Sequence, residues 1–152
     1  VKLKDGSISY PTNFRTKTKI QIDADAQSYA SSNPIYSLGN FTYIDEESKI
    51  QFESTIHYLQ SRNVTVILLL PPYHPIVYQK FITDPQYSKV RDVESYFRYF
   101  ASKENIDIIG SYNPNLMNLT SIDFYDGMHP STETMDKILA GYLSLKHRNC
   151  SA

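Results

Sequence analysis

Asp126 and His129 stand three residues apart in the segment Phe124-Tyr125-Asp126-Gly127-Met128-His129-Pro130-Ser131. A carboxylate and an imidazole at that spacing can meet across one short turn. The carboxylate can then orient one ring nitrogen of His129 and stabilise its cation, leaving the other nitrogen to act as a base. That is the base-and-orienter half of a catalytic triad. Gly127 lets the chain turn tightly, and Pro130 fixes the exit direction at the head of a helix. A bare Asp-x-x-His is common, and Asp126 could merely make a turn beside an ordinary His129. The Pro-Ser that follows and the amphipathic helix behind it tilt the reading toward chemistry. No convincing nucleophile accompanies the pair, so the chain reads as half of an active site.

The elements that must position this turn are legible from Thr42 onward. Asp45-Glu46-Glu47 load the first turn of a helix with negative charge, which suits the helix dipole. Ile44, Phe52, Ile56 and Leu59 share one face of it, up to Arg62, and Asn63 ends it. Val64 to Leu70 follows as an unbroken apolar strand, expected in a parallel sheet covered on both faces, and Pro71-Pro72 stop it. A second helix fits Ser88 to Lys103, with Val90, Val93, Phe97 and Phe100 on one face. Ile106 to Ile109 is a second short strand. The last helix starts at Ser131, a good N-cap, and carries Met135, Ile138, Leu139, Tyr142 and Leu143 at helical spacing. This order predicts a three-layer α/β domain with part of a mostly parallel sheet and flanking helices. In an open sheet of that class, ligands bind beyond the carboxyl ends of the strands, where the Asp126–His129 turn should lie. Residues 1–36 are more polar. They suggest a weak hairpin around Asp5-Gly6, one short alternating stretch at Lys19-Ile20-Gln21-Ile22, and a short helix through Ala24 to Tyr29. They read as an insertion, lid or interdomain segment, and residues 37–152 as the α/β part.

Asp126-Gly127-Met128-His129-Pro130-Ser131 before a C-terminal helix resembles the last conserved block of SGNH (GDSL-type) hydrolases, in which Asp and His complete a triad. The likeness extends to Val64 through Pro75, where a hydrophobic strand ending in Pro-Pro-x-His-Pro is similar to the penultimate strand of extracytoplasmic members. Those members are related to the proteins of alginate O-acetylation and teichoic-acid D-alanylation. In some of them a stretch like Asp5-Gly6-Ser7-Ile8-Ser9-Tyr10 occurs midway, well after the nucleophile. The resemblance implies an incomplete SGNH or flavodoxin-like domain. It also implies a serine esterase or O-acyltransferase acting on acylated, carbohydrate-like substrates outside the cytoplasm. In that family the serine lies after the first strand, and Gly and Asn from middle blocks help bind the oxyanion.

The chain departs from the family where the nucleophile should be. Ser7 sits in an Asp-Gly-Ser sequence, but no hydrophobic strand precedes it, and a nucleophile elbow needs one. Ser37-Leu38-Gly39-Asn40 is faintly similar to the Gly-x-Asn-Asp block, but Phe41 replaces the Asp. The chain is therefore expected to be a C-terminal portion whose Ser, Gly and Asn come from a missing N-terminal half of the same protein. Tyr73 and His74, just past the Val64–Leu70 strand, are candidate substrate-binding residues at the same sheet edge as His129. His74, held between two prolines, could equally be a rigid loop residue. A metal sphere of His74, Asp126 and His129 is chemically allowed, but nothing in the spacing supports it, so no metal and no cofactor are expected.

Composition narrows the alternatives. The 152 residues are 41% hydrophobic and 20% charged with net charge −1, which fits one globular domain. No basic stripe supports nucleic-acid binding. The longest apolar run is too short to span a bilayer, and no signal peptide is visible. The single Cys150 rules out an internal disulfide. Sequon matches at Asn40, Asn63 and Asn118 read as incidental in a chain rich in Asn, Ser and Thr. The 13 tyrosines leave a second expectation open, a non-catalytic glycan- or protein-binding α/β domain. A strand as apolar as Val64–Leu70 with one obvious neighbour also invites pairing with another chain. Either the sheet stays small and exposed or a second copy completes it.

Overall fold

Two four-residue strands form the only sheet among the described residues. The computed structural model describes Lys2, Lys4 and residues 10–149, with the side chains of 145–149 left out. The hairpin expected around Asp5-Gly6, Ser7 and Cys150 lie outside the described residues. In chain order the elements are α1 (Thr12–Arg15), α2 (Lys19–Ser31), α3 (Glu46–Ser61), β1 (Ile67–Leu70), α4 (Pro75–Thr83), α5 (Ser88–Lys103), β2 (Asp107–Gly110) and α6 (Thr132–Asn149). β1 and β2 pair in parallel, Ile67 opposite Asp107 and Leu70 opposite Gly110. The protein is α/β with a small parallel sheet.

Local chemistry sets most boundaries. The Asp45 carboxylate accepts the Ser48 N–H at 2.8 Å and caps α3. Asn63 and Asn105 follow α3 and α5 with φ of 59° and 51°, the left-handed conformation that Asn tolerates and that ends helices. α5 spans the residues its periodicity predicts. The short helix expected through Ala24 to Tyr29 lies within α2, which begins earlier, at the alternating stretch Lys19-Ile20-Gln21-Ile22. Thr18 accepts the Gln21 N–H while the Gln21 side chain accepts the Thr18 N–H at 2.9 Å, a capping box that starts the helix. Two residues apart, Ile20 and Ile22 would share a strand face; on the helix Ile22 is buried and Ile20 is 81% exposed. The sequence reading also passed over α4. Pro75 occupies its first turn, and Val77 and Phe81, four residues apart, are both fully buried.

The interior has two parts. Ile56, Phe100, Ala101 and Ile106 pack with Phe52, Leu68 and Ile108 where α3 and α5 cover one face of the sheet. Ala26, Ile35, Val77, Phe81, Tyr87 and Val90 form the second cluster, beyond the strand ends. The polar composition of residues 10–36 therefore did not keep α2 and Ile35 out of the core.

The expectation of a strand covered on both faces is corrected. Leu68 and Leu70 point to the α3–α5 side, whereas Ile67 and Leu69 on the other face are each 41% exposed. On that second face α6 crosses beside β2, with the Tyr142 hydroxyl 2.6 Å from Asp107 Oδ2, and leaves β1 open. The exposure follows from where α6 lies, against β2 and away from β1. Leu69→Lys is accordingly expected to change unfolding free energy by less than about 1 kcal/mol. Leu70→Lys should bury an unpaired ammonium and abolish cooperative urea unfolding. Equal effects at the two positions would show that both faces are covered.

Candidate active site

The turn that carries the dyad is closed by backbone bonds before any side chain acts. Phe124 and Pro130 form an antiparallel bridge. The Tyr125 N–H donates to the His129 carbonyl at 2.8 Å, and the Ser131 N–H to the Asp123 carbonyl at 2.8 Å. Ser131 then caps α6, its Oγ accepting the Thr134 N–H at 3.2 Å. Folded this way, Asp126 points into the loop and is 2% exposed. Its Oδ1 accepts the backbone N–H groups of Met128 (2.7 Å) and His129 (2.8 Å).

His129 Nδ1 lies 2.9 Å from Asp126 Oδ2 and 3.0 Å from Oδ1. An ionised carboxylate is only an acceptor, so Nδ1 carries the proton and Nε2 of the neutral ring holds the lone pair. The His129 side chain is 44% exposed, and among the described residues none hydrogen-bonds Nε2. The rings of Tyr10, just before α1, and Phe14, on it, stand 5.6 and 6.2 Å from the imidazole. Lys17 lies over Phe14, pairs with Asp25 at 2.6 Å and reaches the Tyr125 carbonyl at 3.4 Å. Behind the dyad, a polar recess of about 360 Å³ is lined by Phe14, Lys17, Asp25, Ser28, Tyr29 and Asp126.

The two groups shift each other's protonation. The hydrogen bond to Asp126 raises the His129 pKa above its ordinary value, against the opposing effect of burial. Burial alone would raise Asp126, but the bonds from His129 and the Met128 N–H outweigh it and hold the carboxyl below its ordinary range. A raised histidine stabilises the fold fully below about pH 6.5 and loses that contribution as pH climbs through its folded pKa. A lowered aspartate contributes above about pH 3.9 and loses it as pH falls through its folded pKa. The stability difference between the native chain and His129→Ala should therefore be widest between about pH 4 and 6.5 and shrink at both ends. Urea titrations across that range check it, and a difference that does not vary with pH would mean the pair is not coupled to folding.

Of the other two sequence candidates, His74 is buried and Tyr73 partly buried. His74 is fully buried as the N-cap of α4, with Nδ1 accepting the Ile76 N–H at 3.2 Å. Its Nε2 therefore carries the proton in the neutral ring and faces Asp23 Oδ1 at 3.5 Å; neither atom has a hydrogen-bond partner. Burial pushes the His74 pKa down, with the Asp23 charge opposing. The His74 N–H donates to the Gly127 carbonyl at 3.3 Å, and its ring meets Phe124 edge-on at 5.3 Å. It supports the dyad turn from behind rather than facing the open side of His129. Tyr73 packs on Phe81 and Tyr112 at 4.9 and 5.3 Å, and burial pushes its phenol up to about 12. Gly39 lies against Gln86, and Asn40 is exposed.

Sequence reasoning missed Tyr29, whose hydroxyl donates to Asp126 Oδ2 at 3.3 Å across 97 residues. It also missed the Tyr10–Phe14 wall. Neither leaves a local signal, because each partner belongs to a different element. Among the described residues no group of three or more His, Cys, Asp or Glu side chains is placed to hold a metal ion, and no helix is long and apolar enough to cross a membrane. Chemically, the arrangement can accept a proton at Nε2 and balance the resulting imidazolium with a buried carboxylate. Comparison of the chain with family models, curated proteins and solved structures finds no match.

Proposed function

We propose that the chain supplies the acid–base half of a serine esterase or O-acyltransferase of the SGNH type, acting on acylated, carbohydrate-like substrates. The observation that carries this reading is the Asp126–His129 geometry, a buried carboxylate 2.9 Å from Nδ1 of a half-exposed imidazole. His129 Nε2 takes the proton of a serine hydroxyl as that oxygen attacks the acyl carbon, and returns it to the leaving alcohol. Asp126 holds the tautomer and the charge. The serine and most of the oxyanion hole come from sequence beyond this chain, on strands that pair with the open edge of β1. Among the described residues no strand pairs with the edge of β1 away from β2, which suits that completion. In this reading the protein is extracytoplasmic.

The test compares ester hydrolysis by this chain alone and by a protein that joins it to a serine-bearing strand. No turnover is expected from the chain alone, and turnover that His129→Gln removes is expected from the longer protein. Turnover undiminished by that change refutes the reading. A second reading, a non-catalytic glycan-binding domain, is favoured by the Tyr10 and Phe14 rings beside His129, since aromatic faces stack on sugars. Glycan binding that survives His129→Gln, with no hydrolysis by the longer protein, would select it.

A further inference from the structure

Asp126 Oδ1 is held by two backbone N–H groups of its own turn. Oδ2 has no such support. Apart from His129 itself, its donor is the Tyr29 hydroxyl at 3.3 Å. Rotation about the Cβ–Cγ bond swings both oxygens together, so a donor on Oδ2 adds to the two N–H groups on Oδ1 in holding the carboxylate plane toward Nδ1. We propose that Tyr29 is a positioning residue of the dyad, its hydroxyl fixing Oδ2 so that both carboxylate oxygens stay aimed at His129 Nδ1. The assignment rests on the catalytic reading of the dyad for its purpose, but the contact itself can be tested without catalysis.

Three further features place Tyr29 there. Its ring presses on the turn: a Cβ built at Gly127 would fall 2.5 Å from Tyr29 Cδ2 and 2.9 Å from Val77 Cγ2. Gly127 is thus required by the approach of the ring. On its other side Tyr29 meets Tyr36 at 5.2 Å between centroids. Tyr36 is held there at φ 45°, a left-handed conformation that a non-glycine residue adopts only under constraint. Finally, Tyr29 lines the recess behind Asp126 together with Lys17, Asp25 and Ser28. Its hydroxyl takes the place at Oδ2 that solvent in the recess would otherwise fill. Burial, then the Tyr36 hydroxyl and the Asp126 charge, raise the Tyr29 pKa far above its ordinary value, so the phenol remains a donor.

Tyr29→Phe removes the oxygen and keeps the ring on Gly127. His129, His74, Lys17 and Asp25, the charged or titratable groups around Asp126, are left in place. Carboxyl-carbon NMR of the full 152-residue chain should show the Asp126 titration midpoint rising by roughly half a unit, because one hydrogen bond to the charged form is lost. The far-UV spectrum should be unchanged. An unmoved midpoint, or a variant that no longer folds, overturns the assignment, since the oxygen would then be idle or purely structural. A shifted midpoint beside undiminished hydrolysis in His129→Gln would uphold Tyr29 and refute the catalytic reading.

Discussion

Replacing His129 by glutamine, in a protein that joins this chain to its nucleophile, is expected to lower turnover by about 10³- to 10⁶-fold. Glutamine can still fill the space and donate a hydrogen bond, but it has no lone pair of comparable basicity where Nε2 stood. The serine proton then has no acceptor but water. The same substitution should leave the fold intact, because the His129 side chain is 44% exposed and the turn is held by its backbone bonds. His74→Gln is the informative contrast. The His74 ring is fully buried and its Nδ1 accepts the Ile76 N–H, so its replacement should appear mainly as lowered stability. The measurement is kcat for a short-chain ester alongside urea unfolding of each variant. If His74→Gln cost turnover and His129→Gln did not, the roles assigned to the two histidines would be exchanged.

Asp126→Asn should cost about 10⁴-fold in turnover while preserving the shape of the site. The reason lies in how the carboxylate is held. Oδ1 accepts the N–H groups of Met128 and His129, so an asparagine must place its carbonyl oxygen there. Its amide nitrogen then occupies the position of Oδ2 and donates to Nδ1. The imidazole is forced into the other tautomer, with the proton on Nε2, and the base is lost. The pH profile should move as well. With Asp126 raising the His129 pKa, the low-pH limb of kcat/KM, where His129 must lose its proton, should have its midpoint above about 6.5, and in Asp126→Asn it should fall below that value. An asparagine variant with native rate and profile would remove Asp126 from the mechanism.

What could be read from the residues in order was what is settled within a few residues. Asp126 meets Nδ1 of a ring three positions on, and Ser131 caps the helix that follows. The start and end of α3 follow from Asp45 and Asn63. Each of these is a short-range contact, so residue type and spacing determine it. The limits of spacing show at Lys19–Ile22, an alternating stretch that the Thr18–Gln21 capping box makes the first turn of α2.

Only tertiary structure decided the rest. An apolar strand does not state how many neighbours it has. Ile67 and Leu69 are exposed because the sheet has two strands and α6 lies over the other one, not because of anything in their own sequence. His74 was equally readable as a surface ligand or a rigid residue, and it is the arrival of α2, α4 and the Phe124 ring that buries it. Tyr29 and Asp126 meet only because the chain returns across 97 residues. The sequence alone thus determined the dyad, whose bonds lie inside one turn. Its surroundings, which set how that dyad is held and what can reach it, depend on packing between distant elements and were decided by the fold.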